Sequence, residues 1–343
     1  MNGSHVAGSS LWGILNMKTF TRRTFNGLAG GGAALFAAPR IACAAFPERT
    51  IRIIVGFGAG GTVDTIARIV AQVIGPILGQ SVIVENRPGG SGSIAANTVV
   101  QAPADGYTLL FGTFSHAVAP ALVKLDYDTI KDLTAVSQVA SVPLLLFASE
   151  KSPYHSVADV VAAAKANPGT VTYASAGVGS SGHLSGELFA RKVGIKLVHV
   201  PYRGGAQTVQ SLLAGDVELM WDTPAPTTHS FIADGKLRAL AVMSNKRLPS
   251  FPDVPAIGEL GYGNDLEVQA WQGVLVRSTT PPVIVDTLYR AIAQGMALDE
   301  PKQRIAAMAV EPMATDPAAF EAFFTSEVNR WTNVARDAGI QAQ

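Results

Sequence analysis

Val55–Asp64 reads VGFGAGGTVD, and the segments on either side of it decide what kind of turn it is. Upstream, Ile51-Arg52-Ile53-Ile54-Val55 is a short, β-branched apolar run with the composition of a buried strand. Downstream, Ile66, Ile69, Val70, Val73, Ile74, Ile77 and Leu78 recur at the spacing of one helix face. Thr62 and Asp64 are the N-cap candidates, and Gly75-Pro76 predicts a kink or an early stop in the helix. A glycine turn feeding a helix start presents backbone N–H groups that lack intrahelical partners, beside the positive end of the helix dipole. Such a turn suits an anion.

A second stretch has the same construction. Val171–Ala174 reads as a strand, Ser175–Gly182 (SAGVGSSG) as a glycine–serine loop, and His183–Lys192 as a helix. Either loop alone reads most simply as a connector. Two of them, far apart in sequence, are what a cleft between two α/β halves requires, because ligands of open α/β sheets sit where strand ends give way to helices.

The remaining pattern extends this plan in chain order. Gln80–Asn86 reads as a strand, Arg87–Gly92 as a third glycine turn, Ile94–Gln101 as a helix and Tyr107–Phe111 as a strand, with Gly112–His116 as a polar loop. Val142–Ala148 reads as one apolar strand entering the second half, followed by a helix over Val157–Ala166 capped by Ser156. Leu197–Pro201, Val217–Trp221 and Arg238–Met243 read as strands, with a helix over Ala206–Leu213. Pro249–Gly263 reads as a surface crossing, and Leu266–Val276 re-enters the first half. Two helices are expected to close the chain. The last, over Pro317–Asp337, carries a packing stripe of Phe320, Phe323, Phe324, Val328, Trp331 and Val334.

Composition narrows the function. At 343 residues the chain accommodates two ordinary cores. Residues 1–45 hold Lys18, Arg22, Arg23 and Arg40 and no acid, leaving 22 of the 26 basic residues against all 26 acidic ones in the body. A mildly acidic body without a basic cluster argues against nucleic acid. Thr21-Arg22-Arg23-Thr24-Phe25, the apolar run Leu28–Ala38 and the small residues Ala42-Cys43-Ala44 read as a twin-arginine-type export signal, with Met17 as the expected start. Cleavage near Ala45 removes Cys43, the one cysteine, so neither disulfide nor thiolate chemistry is expected.

Catalytic readings find little support. Gly58-Ala59-Gly60 followed by Glu85 imitates a dinucleotide fingerprint, but Val63 stands at the third glycine position. An exported dinucleotide-binding oxidoreductase is therefore the minor alternative. Ser180 and Ser181 lack the G-x-S-x-G elbow, and the histidines at 5, 116, 155, 183, 199 and 229 show no metal-ligand spacing. His199, within an apolar strand, reads as a hydrogen-bonded core residue. No catalysis, metal or cofactor is expected.

Six stretches, VGFGAGGTVD, VENRPGGSG, APADGYTLLFGT, YASAGVGSSGHL, VPYRGG and LMWDTP, occur in an order and at intervals that resemble the Bug family, over residues 46 to about 340. Bug proteins are exported solute receptors of tripartite tricarboxylate transporters. The resemblance implies a type II periplasmic binding protein: α/β, two domains, each a mixed sheet flanked by helices, with a cleft between them. Domain 1 is expected at 46–147 plus 269–343 and domain 2 at 148–268. The implied pocket comprises Phe57, Gly60, Gly61, Thr62 and Asp64, then Thr113 and Ser115, then Ser175, Ala176, Gly179, Ser180 and His183, with Tyr202, Arg203 and Asp222 on the opposite wall. It also implies a periplasmic monomer that holds a small carboxylate and meets membrane permease subunits. A ligand sensor acting on a membrane kinase would share this pocket.

Overall fold

The computed structural model describes residues 46–202 and 205–340, so the export signal expected at 1–45, with Cys43, and Arg203 of the implied pocket lie outside the described residues. The first sheet begins with β1 (Ile51–Val55), α1 (Thr62–Leu78), β2 (Val82–Asn86), α2 (Ser93–Val100), β3 (Thr108–Thr113) and α3 (Phe114–Leu122). β4 (Leu133–Pro143) belongs to the same sheet, and β5 (Leu145–Ser149) opens the second. There follow α4 (Val157–Ala166), β6 (Thr172–Ser175), α5 (Ser181–Val193), β7 (Val198–Pro201), α6 (Gly205–Ala214), β8 (Leu219–Asp222), α7 (Pro226–Ala233) and β9 (Leu237–Val242). The chain then returns to the first sheet through β10 (Gln269–Arg277), α8 (Pro282–Met296), α9 (Asp299–Ala306), β11 (Glu311–Pro312) and α10 (Pro317–Asp337).

Strand order is β11-β4-β10-β3-β1-β2 in the six-stranded sheet and β7-β6-β8-β5-β9 in the five-stranded one. Each contains a parallel trio, β2-β1-β3 and β7-β6-β8, extended by antiparallel strands. In both trios the chain leaves the middle strand, pairs on one side, then crosses to the other. That reversal makes a switch point between β1 and β3, and again between β6 and β8, the places where an open sheet leaves a crevice beyond its strand ends.

Several sequence expectations are corrected. Gly112–His116 is not a loop: β3 runs through Thr113 and α3 starts at Phe114, because Thr113 caps the helix with His116 in reply. The apolar run 142–148 breaks at Leu144, whose N–H leaves both strands for the carbonyl of Val268 at 3.0 Å. α1 passes through Pro76 and stops two residues later, where Gly79 takes a left-handed φ of 66°. α7 was not foreseen, and three helices rather than two follow β10.

One core joins the two sheets. Ile54, Leu110, Phe114 and Leu122 from the first share it with Leu146, Tyr173, Leu184 and Trp221 from the second. α10 lies along this seam. Trp331 meets Phe114 edge-on at 4.9 Å, while the buried carboxylate of Glu327 accepts both indole N–H groups, Trp271 at 3.2 Å and Trp331 at 2.9 Å. Arg191 of α5 pairs with Asp337 of α10 at 3.0 Å. Among the described residues no helix is long and apolar enough to cross a membrane.

Candidate functional site

The first loop is built from below. β1 packs apolar side chains on both faces and ends at Val55, and a Cβ on Gly56 would come within 2.8 Å of Gly92 Cα, so backbone touches backbone here. Gly61 is the N-cap of α1 and carries no capping side chain, in place of the expected Thr62 or Asp64. Asp64, in the first turn, reaches backwards: its Oδ2 accepts Gly60 N–H and Arg68 Nε, each at 2.9 Å. Its Oδ1 accepts Asn86 Nδ2 at 2.8 Å, and the same amide donates to Phe57 O at 3.0 Å. Both ends of the loop are thereby tied to one buried carboxylate. The Arg68 guanidinium, aided by Gly60 and Asn86 and opposed by desolvation, holds Asp64 down at about 2. Gly60, Gly61 and Thr62 stay exposed, and a Cβ added at Gly58, Gly60 or Gly61 would meet no atom within 4 Å.

Thr113 and Ser115 lie beside this loop, since Val55 pairs with Phe111 in the sheet. Thr113 is buried and donates its N–H to His116 Nδ1 at 3.0 Å; Ser115 is half-buried at the start of α3. His116 is wholly enclosed, and burial pushes it down to about 4, so it is neutral.

In the second sheet Ser175 ends β6. Its Oγ donates to Gly177 O at 3.0 Å, accepts Gly177 N–H at 3.2 Å, and lies 2.6 Å from His199 Nε2. Ser180 caps α5 by accepting His183 N–H at 3.3 Å, while His183 Nδ1 accepts Gly179 N–H at 3.0 Å. The rings of His183 and His199 stack at 3.9 Å and 16°. Desolvation pushes both to about 4, with each other's proximity adding to the effect at His183. Ala176 is exposed, and Tyr202 flanks it, its N–H bound to Ser175 O at 2.9 Å.

Asp222 ends β8 next to Ser175. Its Oδ1 accepts Thr223 N–H at 2.7 Å, and a Cβ on Gly205, the first residue of α6, would lie 3.6 Å from Oδ2. The carboxyl is only half-buried, yet desolvation raises its pKa.

The implied residues follow five strand ends, β1 and β3 in the first sheet and β6, β7 and β8 in the second. The second loop touches the first half at the far end of α3, where a Cβ on Gly179 would collide with the side chain of Leu122. Asp64 and His183 belong to the neighbourhood but point inward, holding the loops. Sequence reasoning missed Asn86, Arg68 and His116 as supports, and it gave His199 no part in the site. A polar residue closing an apolar strand, as Asn86 closes VIVEN, is the one signal available. A separate recess of about 820 Å³ between Ser244–Ser250 and Glu311–Met313 lies away from these strand ends. Within it Arg247 pairs with Glu259, and Glu267 accepts from Asn245 and Gln269.

Residues 66–340 match the family described as "Tripartite tricarboxylate transporter family receptor". Protein BugT of Bordetella pertussis is 36% identical over 303 residues, covering 86% of this chain and 91% of BugT. Among solved structures, the periplasmic binding protein BugD is 32% identical with a TM-score of 0.71, covering 87% of this chain and all of BugD. R. palustris Rpa4515 with adipate is 35% identical with a TM-score of 0.73, at the same coverage of this chain and all of that protein.

Proposed function

The chain belongs to the tripartite tricarboxylate transporter receptor family and has the two-sheet α/β fold of a type II periplasmic binding protein, and from that premise we propose that it is an extracytoplasmic receptor for a small carboxylate. The observation that supports this reading is the duplicated switch point, with an open glycine loop after β1 and a glycine–serine counterpart after β6. Free N–H groups at two helix starts, with the hydroxyls of Thr62, Ser115, Ser180 and Tyr202, offer donors to an anion, directly and through ordered water. Phe57 and Ala176 supply apolar contact for the carbon chain. Asp64 and His183 act through the loops they hold. The domains, 46–147 plus 269–343 and 148–268, close about the crossing at Leu144 and Val268. No chemistry follows capture. The receptor works in the periplasm, where BugD is placed by name, and delivers its ligand to the permease subunits of a tripartite transporter.

A thermal-shift screen of adipate, malate, citrate, benzoate, amino acids, nicotinamide and NAD(P) tests this. Ligand at 100 times its Kd stabilises by about 2.7 kcal/mol, a readily measured shift. Stabilisation by carboxylates is expected; stabilisation by NAD(P) alone overturns the reading.

A further inference from the structure

Beneath the second loop lies a cluster that ligand contact does not account for. His183 Nδ1 accepts the Gly179 N–H, so that nitrogen carries no proton. His199 Nε2 holds Ser175 Oγ, which in turn holds both the N–H and the carbonyl of Gly177. Two stacked imidazoles therefore fix two glycines of the loop from behind. Every element packed on His183 contributes to its surroundings. α5 brings Glu187, whose Oε1 is 4.0 Å from Nε2; β6 brings Tyr173, which donates to that same oxygen at 2.8 Å, and Ser175. β7 brings His199, and β8 brings the indole of Trp221, edge-on to Tyr173, and then Asp222; α3 offers only Leu122 to Gly179.

We propose that the His183–His199 stack is a proton-sensitive latch on the second glycine loop: neutral rings hold Gly177 and Gly179 for capture, and a proton at His183 Nδ1 releases Gly179. A proton at His183 Nδ1 turns an acceptor into a donor facing the Gly179 N–H, and that hydrogen bond is lost. Charging both rings would set like charges face to face at 3.9 Å. Glu187 gives the charged His183 somewhere to go, on the side away from Gly179. The inference rests on the receptor reading only in calling this loop a ligand loop.

The test is an NMR titration of the full chain carrying labelled glycine and histidine, without ligand. The Gly179 amide is expected to shift together with the His183 imidazole on acidification below about pH 5.5. His183→Asn keeps an acceptor oxygen near the Nδ1 position but cannot titrate, so Gly179 should stay fixed in that variant. His199→Gln, a second route should the first variant misfold, should move the His183 midpoint upward by removing its stacked neighbour. A Gly179 amide that stays still while His183 titrates, or that still titrates in His183→Asn, overturns the latch. For a carboxylate that binds in the screen, affinity should fall about tenfold more in the wild type than in His183→Asn between pH 7 and about pH 3, where a group titrating at about 4 is about nine-tenths protonated, the same ligand serving as its own control. Equal losses also overturn it. If no carboxylate binds at pH 7 the receptor reading fails, while the amide titration still decides the latch.

Discussion

Met243 donates its backbone N–H to the carbonyl of Leu144 at 2.7 Å, at the point where the chain crosses between the sheets. Leu144 N–H goes to Val268 O and Val268 N–H to Met243 O, each at 3.0 Å, so three buried residues close a ring of backbone hydrogen bonds. Under the proposed closure, rotation about such a ring would bend flanking residues without breaking it. Hydrogen exchange should therefore place these three amides in the slowest class, with or without ligand. The Gly177 and Gly179 amides should exchange faster and gain protection with ligand. Fast exchange at Leu144 would show that the pivot lies elsewhere.

Asp64 links stability to pH. Its folded pKa of about 2 lies below its ordinary value of 3.8, so between those values the unfolded chain binds more protons. The stabilisation is present above pH 4 and is lost as pH falls towards 2. The group is 3% exposed, so little solvent discount applies, and the shift corresponds to about 2 kcal/mol. Asp64→Asn should cost roughly that amount at pH 7 and flatten the acid limb of denaturant-derived stability over this window. It should also weaken ligand binding, because Gly60 and Arg68 lose their anchor.

The elements legible in the sequence were those whose ends carry their own chemistry. β1, α4 with its Ser156 cap, and α10, opening on Pro317, came out at the observed residues. The β3–α3 junction was illegible because no glycine or proline separates strand from helix after Gly112, and Thr113-Phe114-Ser115-His116 imitates a polar loop. Both glycine loops were legible as loops. What the sequence could not reveal was that Asp64 and His183 point inward. That direction is set by Asn86 on β2 and by His199 on β7, partners supplied only by the sheet.

Asp222 should sort ligands by what they carry besides carboxylates. In its ionised form this carboxyl repels an anion, at about 6 Å and an effective dielectric near 20 by about 3 kcal/mol before salt screening, and the burial that raises its pKa reduces that cost by favouring the neutral form. Asp222→Asn keeps an oxygen for Thr223 N–H and removes the charge. Calorimetry at pH 7 should show adipate binding tightened, about tenfold at low salt. Binding of a hydroxy- or amino-dicarboxylate, whose donor Asp222 can accept, should weaken. Equal changes for both classes would remove Asp222 from the ligand wall.

Glycines separate the loop's openness from its support. A Cβ on Gly182 would stand 2.4 Å from the carbonyl oxygen of Trp221, which pins the first turn of α5 to the end of β8. Neither partner can yield cheaply, since both are backbone. Gly182→Ala should therefore lose about 1–3 kcal/mol of stability and push α5 away from Asp222, weakening ligand binding as well. Gly58 has open space around the same imagined atom and no left-handed φ, so Gly58→Ala should leave the melting temperature within about 2 °C of wild type. An effect of Gly58→Ala on affinity without one on stability would then report ligand contact at the first loop directly. Destabilisation by Gly58→Ala equal to that of Gly182→Ala would mean the first loop is packed against something, and its role as an open anion cradle would fall.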